Sequence, residues 1–158
     1  MIEIDDAAPP TLDSMWRLHA DELLRFATVL VGPADACDVL VDAFVTAAAS
    51  IVTGRVENRR AYLFRSISNR AFDLRRSRER RWARDLAAVG PDSNNDPDPL
   101  IDVRRAVASL SLSQRSVVYF VYWEDLPERA IADLLGLSIG TVRRHLHRAQ
   151  THLRKALS

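Results

Sequence analysis

The sequence has little cysteine and no long apolar run, and each absence excludes a kind of structure. Cys37 is the single cysteine among 158 residues, which excludes an internal disulfide and a cysteine-based zinc site and is typical of a reducing compartment. The longest strongly apolar run, residues 117–123, is much shorter than the ~20 residues that a membrane-spanning helix needs. Residues 1–10 contain no basic residue and so lack the positive start of a secretory signal. We therefore expect a cytoplasmic protein.

The sequence also lacks the residue clusters that catalysis and metal binding need. Neither half of the chain contains a group of carboxylates, a metal-ligand spacing or a nucleophile beside a general base. His145 and His147 are two residues apart on a predicted helix, so their side chains diverge. Cys37 has no basic neighbours that would activate its thiol, and we interpret it as a small residue near a helix start. We therefore predict no enzyme activity, no metal site and no cofactor.

Charge is distributed unevenly along the chain, although the net charge is only +1. Residues 1–58 carry a net charge of −7, residues 59–84 carry +8, and residues 85–158 are neutral overall. The central block contains ten arginines against two acidic residues. The simplest alternative is a solvated helix face, but such faces usually mix both signs. A concentration of one sign is typical of a surface that binds a polyanion.

Apolar residues at helical spacing predict two helices at the beginning of the chain. The first runs over residues 15–30 and ends before Gly32 and Pro33, a pair that terminates helices. Asp35 is a candidate N-cap for the second helix, which is predicted over residues 38–50.

A loop over residues 52–60 and a long helix over residues 61–86 follow. The residues of the long helix that are expected to face inward are Tyr62 or Leu63, Ile67, Ala71 and Leu74. Residues 89–99 contain three prolines and three aspartates but one apolar residue, so they cannot bury themselves. We place a flexible linker at residues 87–99.

The second half of the chain contains four further helical patterns and no alternating, strand-like run. The helices are predicted over residues 100–110, 113–122, 126–135 and 139–156, with Ser113 as the N-cap of the second of them. The predicted fold class is all-α, with two small helical domains joined by a flexible linker, the second domain being a helix-turn-helix. The predicted divisions are an acidic tail (1–14), a first domain (15–86), the linker (87–99) and a second domain (100–158).

Residues 131–146 have the layout of a helix-turn-helix. Ala132 is small enough for close helix crossing, Gly136 permits a left-handed turn, and Leu137 is expected to fill the angle between the helices. Ser138 would cap the second helix. The buried face of that helix is predicted to be Val142, Leu146, Ala149 and Leu153. The outward residues near its start are Thr141, Arg143, Arg144, His147 and Arg148. Such a basic surface suits the major groove of DNA.

These motifs resemble those of extracytoplasmic-function (ECF) sigma factors, a compact group that retains only the second and fourth sigma regions. The pattern L-G-x-S-x-G-T-V-R at residues 135–143 is similar to the last helix-turn-helix of that family. Residues 35–44 resemble its polymerase-binding helix, and residues 62–76 resemble its promoter-melting helix. The resemblance covers roughly residues 15–84 and 100–157.

The resemblance implies three binding surfaces. Core RNA polymerase would be bound by Asp38, Val41, Asp42 and Val45. The downstream promoter element would be bound by Arg59, Arg60, Arg65, Asn69, Arg75 and Arg76. The upstream promoter element would be bound by Ser138, Thr141, Arg143, Arg144, His147 and Arg148. The family also implies a dedicated anti-sigma protein as a further partner.

The sequence departs from the family pattern at a few positions. Val41 stands where the family usually has glutamine on the polymerase-binding face, Ala130 replaces the usual acid, and Tyr62 replaces a common tryptophan. Residues 52–60 lack the sequence motif that is usual in this loop of the family, so the resemblance does not predict which DNA base they prefer.

Two other functions compete for the same residues. A stand-alone helix-turn-helix regulator would not need the acidic helix or the central basic block, and an enzyme acting on nucleic acid would need catalytic groups. Stand-alone regulators usually dimerise on palindromes, whereas a sigma factor binds an asymmetric promoter as one copy. We therefore expect a monomer when the protein is free.

Overall fold

The computed structural model describes residues 10–85 and 99–158, which form seven α-helices and no strand. The helices are α1 (Leu12–Val31), α2 (Ala36–Val52), α3 (Arg59–Asp85), α4 (Pro99–Ala108), α5 (Leu112–Tyr122), α6 (Glu128–Leu135) and α7 (Ile139–Leu157). The predicted all-helical fold class is confirmed. Apart from Pro99, the predicted linker lies outside the described residues. None of the helices within the described ranges has the length and apolarity needed to cross a membrane.

The first helix begins earlier than its apolar pattern predicts. The Thr11 hydroxyl accepts a hydrogen bond from the Ser14 amide, and the Ser14 hydroxyl accepts one from the Thr11 amide, both at 3.1 Å. This reciprocal capping box satisfies amides that the first turn leaves free, so α1 starts at Leu12 rather than at Met15. The last residues of the predicted acidic tail therefore belong to α1. The helix ends at Gly32, whose φ of 85° is easily adopted only by glycine.

Helices α1, α2 and α3 pack together as the N-terminal module. Of the residues predicted to face inward on α3, Leu63, Ile67 and Ala71 are buried, and Tyr62 and Leu74 are half-buried.

The residue at the start of α2 does not cap it as predicted. Asp35 occupies the N-cap position, but its side chain accepts no backbone hydrogen bond. Its two carboxylate oxygens instead accept hydrogen bonds of 2.7 Å from the Arg78 guanidinium of α3. Because the Arg78 side chain is more than half exposed to water, the pair ties α2 to α3 only weakly, although the hydrogen bond from Arg78 lowers the pKa of Asp35.

Helices α4 to α7 form the C-terminal module, and the cap of α5 differs from the prediction. The N-cap is Ser111 rather than Ser113. The Ser111 hydroxyl accepts from the Gln114 amide at 3.2 Å, and the Gln114 side chain accepts from the Ser111 amide at 3.1 Å. Serine followed three residues later by glutamine makes a reciprocal capping box. Ser113 lies inside α5, and the hydroxyl three residues after it, that of Ser116, donates to the Leu112 carbonyl instead.

The turn between α6 and α7 is left-handed, as predicted. Gly136 has φ 67° and ψ 35°, and the following Leu137 amide donates to the Ala132 carbonyl at 2.9 Å. Ala132 is buried, as close helix crossing requires. Leu137, expected to fill the angle between the helices, is instead 36% exposed and lines a groove that faces α3.

The two modules share one hydrophobic core. Phe120 of α5 packs against both Phe26 of α1 and Phe64 of α3, with ring centroids 5.0 and 5.1 Å away, and those two rings are 5.1 Å from each other. Tyr119 completes the cluster at 5.3 Å from Phe26. The three phenylalanines are fully buried, and Tyr119 is 3% exposed. The helices therefore form two modules in sequence but one continuous packed core in space.

A half-buried arginine adds a polar connection between the modules. Arg115 of α5 donates to the Leu30 carbonyl at the end of α1, with an Nη1–O distance of 2.6 Å. It also donates to the carbonyl of Ala108, the last residue of α4, and to that of Leu110, two residues later. One guanidinium thus satisfies carbonyls that the ends of α1 and α4 leave free.

Candidate nucleic-acid interface

The helix-turn-helix is built by a cap and a buried stripe on α7. The Ser138 hydroxyl accepts from the Thr141 amide at 3.1 Å and so begins the helix where predicted. Val142 and Ala149 are fully buried against the rest of the module, and Leu146 is half-buried. This packing fixes which face of α7 points to solvent.

The residues predicted to read upstream DNA lie on the outward face of α7. They are Ser138, Thr141, Arg143, Arg144, His147 and Arg148, all of them exposed except Thr141, which is half-buried. Arg143 Nε lies 2.5 Å from a carboxylate oxygen of Glu128 on α6. This pair is at the surface, where ion pairs contribute only about 0–1 kcal/mol, so the guanidinium can exchange the carboxylate for a phosphate.

The charge on α7 is of one sign. The helix contains four arginines and one lysine and no acidic residue. Its amino-terminal end points to the turn, where backbone N–H groups and the helix dipole favour a phosphate. The surface therefore has both the charge and the helix orientation that DNA backbone contacts need.

The two neighbouring histidines of α7 differ in environment. His147 is exposed, whereas His145 is half-buried, and its Nδ1 has no hydrogen-bond partner among the described residues. Burial lowers the pKa of His145, and the positive charges of Arg144 and Arg148 lower it further. His145 is therefore neutral at physiological pH and belongs to the packing of α7.

The four residues predicted to bind polymerase share one exposed face of α2. Asp38, Val41, Asp42 and Val45 follow the spacing i, i+3, i+4 and i+7 and are all exposed. Val41 is 48% and Val45 is 65% exposed, which makes an apolar strip in water. Asp42 accepts a hydrogen bond from Arg70 Nε of α3 at 3.1 Å, and Arg70 Nη2 lies 2.9 Å from the same carboxylate oxygen.

The six residues predicted to bind downstream DNA are divided over several faces of α3. Arg65, Asn69 and Arg76 lie on one stripe at i, i+4 and i+11, whereas the remaining three arginines, Arg59, Arg60 and Arg75, are rotated away from it. Arg59, Arg75 and Arg76 are exposed, Arg75 and Arg76 pairing with acidic neighbours on the same helix at 3.3 Å and 2.9 Å. These surface pairs leave the two arginines available to a polyanion.

Arg60 is held inside the N-terminal module. Its Nε and Nη2 atoms donate to both carboxylate oxygens of Glu22 on α1 at 3.0 to 3.1 Å, and its guanidinium lies 5.0 Å from the Phe64 ring centroid. His19 Nδ1 lies 2.9 Å from the same carboxylate. Burial alone would raise the pKa of Glu22, but the hydrogen bonds from Arg60 and His19 outweigh it and hold that pKa below its usual range.

This network positions the start of α3, which sequence reasoning missed. Glu22 and His19 fall on the inward stripe of α1, and a carboxylate on an otherwise apolar stripe is itself a signal that a cation must pair with it. Asn58 then caps α3 by accepting from the Ala61 amide at 3.0 Å. Arg60 therefore helps to fix the loop before α3, while its predicted contact with downstream DNA stays a prediction.

Arg65 is engaged by the C-terminal module. Its Nε donates to the Leu134 carbonyl at 3.1 Å and its Nη2 donates to the Asp133 carbonyl at 2.7 Å, both in the last turn of α6. Asn69, one turn further along α3, lines a groove of about 250 Å³ between the two modules. Two of the three residues on this stripe, Arg65 and Asn69, thus face the helix-turn-helix, whereas Arg76 does not line the groove.

Comparison with known proteins agrees with this geometry. The family model described as "Sigma-70, region 4" matches residues 100–153, which correspond to α4 through most of α7. The RNA polymerase sigma-E factor of Streptomyces coelicolor is 33% identical over 151 residues, covering 89% of this chain and 82% of that protein. The chain belongs to the ECF RNA polymerase sigma factors. Members of this family direct promoter-specific transcription initiation by RNA polymerase.

Other ECF sigma factors match along most of this chain. SigE of Mycolicibacterium smegmatis is 31% identical over 98% of this chain, although the chain spans only 64% of that protein's length. SigL of Mycobacterium tuberculosis is 31% identical over 88% of this chain and 84% of its own length.

Solved structures confirm the fold of both modules. The sigma factor RpoE of Bartonella quintana, in complex with the anti-sigma factor NepR, superposes with a TM-score of 0.70 at 24% identity. The superposition covers 92% of this chain and 95% of RpoE. CnrH, in complex with the cytosolic domain of CnrY, superposes with a TM-score of 0.63 at 23% identity.

Proposed function

We propose that this ECF sigma factor binds core RNA polymerase through α2 and directs promoter-specific initiation by reading promoter DNA with α3 and α7. The observation that carries the proposal is the exposed, acid-free face of α7, which directly follows the capped turn of a helix-turn-helix. A helix of this charge and position fits the major groove. The protein would act in the cytoplasm as a specificity subunit rather than as an enzyme, and its function would need no cofactor.

The exposed valines of α2 support a protein partner at that face. Val41 and Val45 are exposed to solvent beside Asp38 and Asp42. An apolar centre with charged residues at its rim is typical of protein interfaces. We assign this face to core polymerase. Valine at position 41, where the family usually has glutamine, makes the contact more apolar.

An anti-sigma protein is the second partner that we propose. The Bartonella quintana relative of similar fold was solved with one bound. The partner would compete with polymerase for the exposed face of α2 and would keep the monomeric sigma factor inactive until it is released.

Transcription from purified components tests the proposed function directly. Core RNA polymerase would be supplied with genomic DNA fragments, with and without the protein, and initiation sites would be mapped. We expect initiation at defined sites only with the protein. Changing Arg143 and Arg144 together to alanine should reduce initiation and lower the salt slope of DNA binding by about 1 for each phosphate contact that is lost.

Two control variants separate this effect from general damage. Glu128→Ala breaks the same surface ion pair as the loss of Arg143 but leaves the arginine free for DNA, so initiation should not fall. Arg17→Ala removes an exposed arginine of α1 that lies outside all three predicted surfaces. DNA binding without polymerase association or initiation would contradict the proposal and favour a stand-alone regulator.

Polymerase binding can be tested apart from DNA. Replacing Val41 and Val45 with serine should weaken the affinity for core polymerase while leaving binding to upstream duplex DNA unchanged. Leu18→Ser changes a side chain that is 75% exposed on α1 and serves as the matched control. Equal affinity of all three proteins for polymerase would rule out this face of α2 as the contact.

A further inference from the structure

A groove of about 560 Å³ lies between the end of α1, the second half of α3 and the start of α5. We call it the arginine groove, because four of the residues that line it are arginines. With the surfaces predicted to bind polymerase and DNA it shares only Arg75. Its volume is within the range of about 300–1,000 Å³ that is typical of small-molecule sites. The groove therefore has the size of a ligand site that the proposed function does not use.

The floor of the arginine groove is aliphatic. Leu30, Ala71 and Leu112 are buried there, one from each of the three helices. Val31 and Leu74 are half-buried beside them. The described residues that line the groove include no aromatic ring, hydroxyl or amide side chain, so nothing in it can stack on a nucleobase or read its edge. A saturated hydrocarbon chain suits such a floor, since each buried methylene contributes without needing a polar partner.

Two of the four arginines of the groove are paired with carboxylates. Arg75 Nε donates to Glu79 at 3.3 Å within α3, and Arg78 donates two hydrogen bonds of 2.7 Å to Asp35, which lies outside the groove. In each pair one side chain is more than half exposed to water. Such pairs are weak, so these arginines can also take an external anion.

The other two arginines have no carboxylate partner in the described parts of the chain. Arg81 is exposed, and no ion pair joins it to another described residue. Arg115 donates to three main-chain carbonyls, which carry no net charge. Burial lowers the pKa of Arg115, and the positive charge of Arg75 lowers it further. The arginine groove thus has an excess of positive charge that a bound anion would balance.

We propose that the arginine groove binds an anionic amphiphile, a single saturated chain with a phosphate or carboxylate head group. The chain would lie on the aliphatic floor, and Arg78, Arg81 and Arg115 would hold the head group, because guanidinium groups bind such oxyanions through paired N–H donors. The ligand is a dissolved molecule, since a groove of this volume has room for one chain and not for a bilayer surface. The inference goes beyond the proposed function, because it needs neither DNA nor polymerase.

Calorimetric titration of the full-length protein with alkyl phosphates tests the proposal. Hexyl, octyl and decyl phosphate would be added as monomers at about 0.15 M salt, with inorganic phosphate and decanol as probes of the head group and the chain alone. We expect saturable binding of one molecule per protein, with an affinity that rises about 2- to 4-fold for each added methylene. Inorganic phosphate and decanol should bind at least about 10-fold more weakly than decyl phosphate. An affinity that does not depend on chain length would overturn the proposal.

Two single variants test whether the head group is held in the groove. Arg81→Ala removes one of its proposed contacts and should weaken the binding of decyl phosphate about 5-fold or more. Arg80→Ala removes the same charge from the neighbouring exposed residue, which does not line the groove, and should change the affinity less than about twofold. Arg75 stays unchanged because it belongs to the predicted downstream-DNA surface. Equal weakening by the two variants would mean that only the general charge of α3 matters and would refute the assigned site.

Methyl resonances show where the chain lies. Val31 and Leu74 are on the floor of the groove, so their methyl shifts should change and saturate as decyl phosphate is added. Val45 is 65% exposed on α2 and serves as the control, with methyl signals that should not move. Parallel shifts at Val45, or shifts at Val31 that grow without saturation, would indicate non-specific adsorption and contradict the proposal.

Vesicles distinguish a dissolved ligand from a membrane surface. The protein and its Arg81→Ala variant would be sedimented with phosphatidylcholine vesicles that contain or lack phosphatidic acid. Arg81-dependent binding to the phosphatidic acid vesicles, without saturable binding of monomeric decyl phosphate, would assign the groove to a lipid surface and overturn the proposal. Because no measurement in this series uses DNA or polymerase, its failure would leave the proposed function standing.

Discussion

Replacing Phe120 with alanine should destabilise both modules at once, although the residue belongs to only one of them. The side chain is fully buried and contacts Phe26 and Phe64 of the N-terminal module at 5.0 and 5.1 Å. A buried phenylalanine replaced by alanine typically lowers the free energy of unfolding by about 3–5 kcal/mol. With a urea m-value of about 2 kcal/mol/M, the midpoint should fall by roughly 1.5–2.5 M.

The assay needs a separate probe in each module. Trp16 of α1 packs edge-on against Phe44 at 5.0 Å, and Trp123 lies at the end of α5. Variants that retain one or the other as the sole tryptophan, with Trp82 changed to phenylalanine in both, report the two modules independently. If the core is shared, both fluorescence transitions coincide and Phe120→Ala shifts both equally.

A matched control and a clear refutation complete this test. Tyr122→Ala removes an aromatic side chain of the same helix that is 63% exposed, so it should lower the free energy of unfolding by less than about 1 kcal/mol. If Phe120→Ala moved the Trp123 transition and left the Trp16 transition at its wild-type midpoint, the modules would unfold independently. The shared core would then be refuted.

Three further predictions concern single contacts. Glu22→Gln should flatten the pH dependence of the free energy of unfolding measured in urea. The folded-state pKa of Glu22 lies below the ordinary value of 4.5. The ionised carboxylate therefore stabilises the fold above pH 4.5, and this stabilisation is lost as the pH falls through the folded-state pKa. Ser111→Ala should lower the free energy of unfolding, measured by thermal unfolding, by about 1 kcal/mol, because it removes the N-cap of α5. Ser113→Ala should lower it by less than about 0.5 kcal/mol. A larger loss for Ser113→Ala than for Ser111→Ala would contradict the observed cap. Gly136→Ala should lower the free energy of unfolding by about 1–2 kcal/mol, because the φ of Gly136 is 67°. Gly140→Ala, inside α7, should leave stability unchanged or increase it. Equal effects of the two substitutions would argue against backbone strain at the turn.

The parts of the fold that depend on nearby residues could be predicted from the sequence. The turn at Gly136 and the cap at Ser138 are decided within a few residues, and both occur where predicted. The exposed valines at 41 and 45 also follow from helical spacing, since the opposite side of α2 carries the apolar stripe. The family resemblance rested on these local patterns and was confirmed by the relatives.

Contacts between distant elements could not be predicted in the same way. Helical spacing places Arg60 and Arg65 on the surface of α3, but it does not tell which other helix approaches that surface. Both were predicted to bind downstream DNA, yet one pairs with Glu22 of α1 and the other with the end of α6. The cap of α2 could not be predicted for the same reason. Asp35 was predicted to cap α2, but its carboxylate binds Arg78, which is 43 residues away in the sequence.

The aromatic core also bears on how the chain is made. Phe26 and Phe64 belong to helices that can pack together once α3, which ends at Asp85, has left the ribosome, whereas Phe120, which covers them, lies 35 residues beyond that end. At bacterial synthesis rates of about 5–20 residues per second, the two rings stay uncovered for roughly 2 to 7 s after that point. During that interval the nascent chain presents an aromatic surface that only its own later half is shaped to bury, which makes this stage the one most prone to aggregation and most in need of chaperone protection.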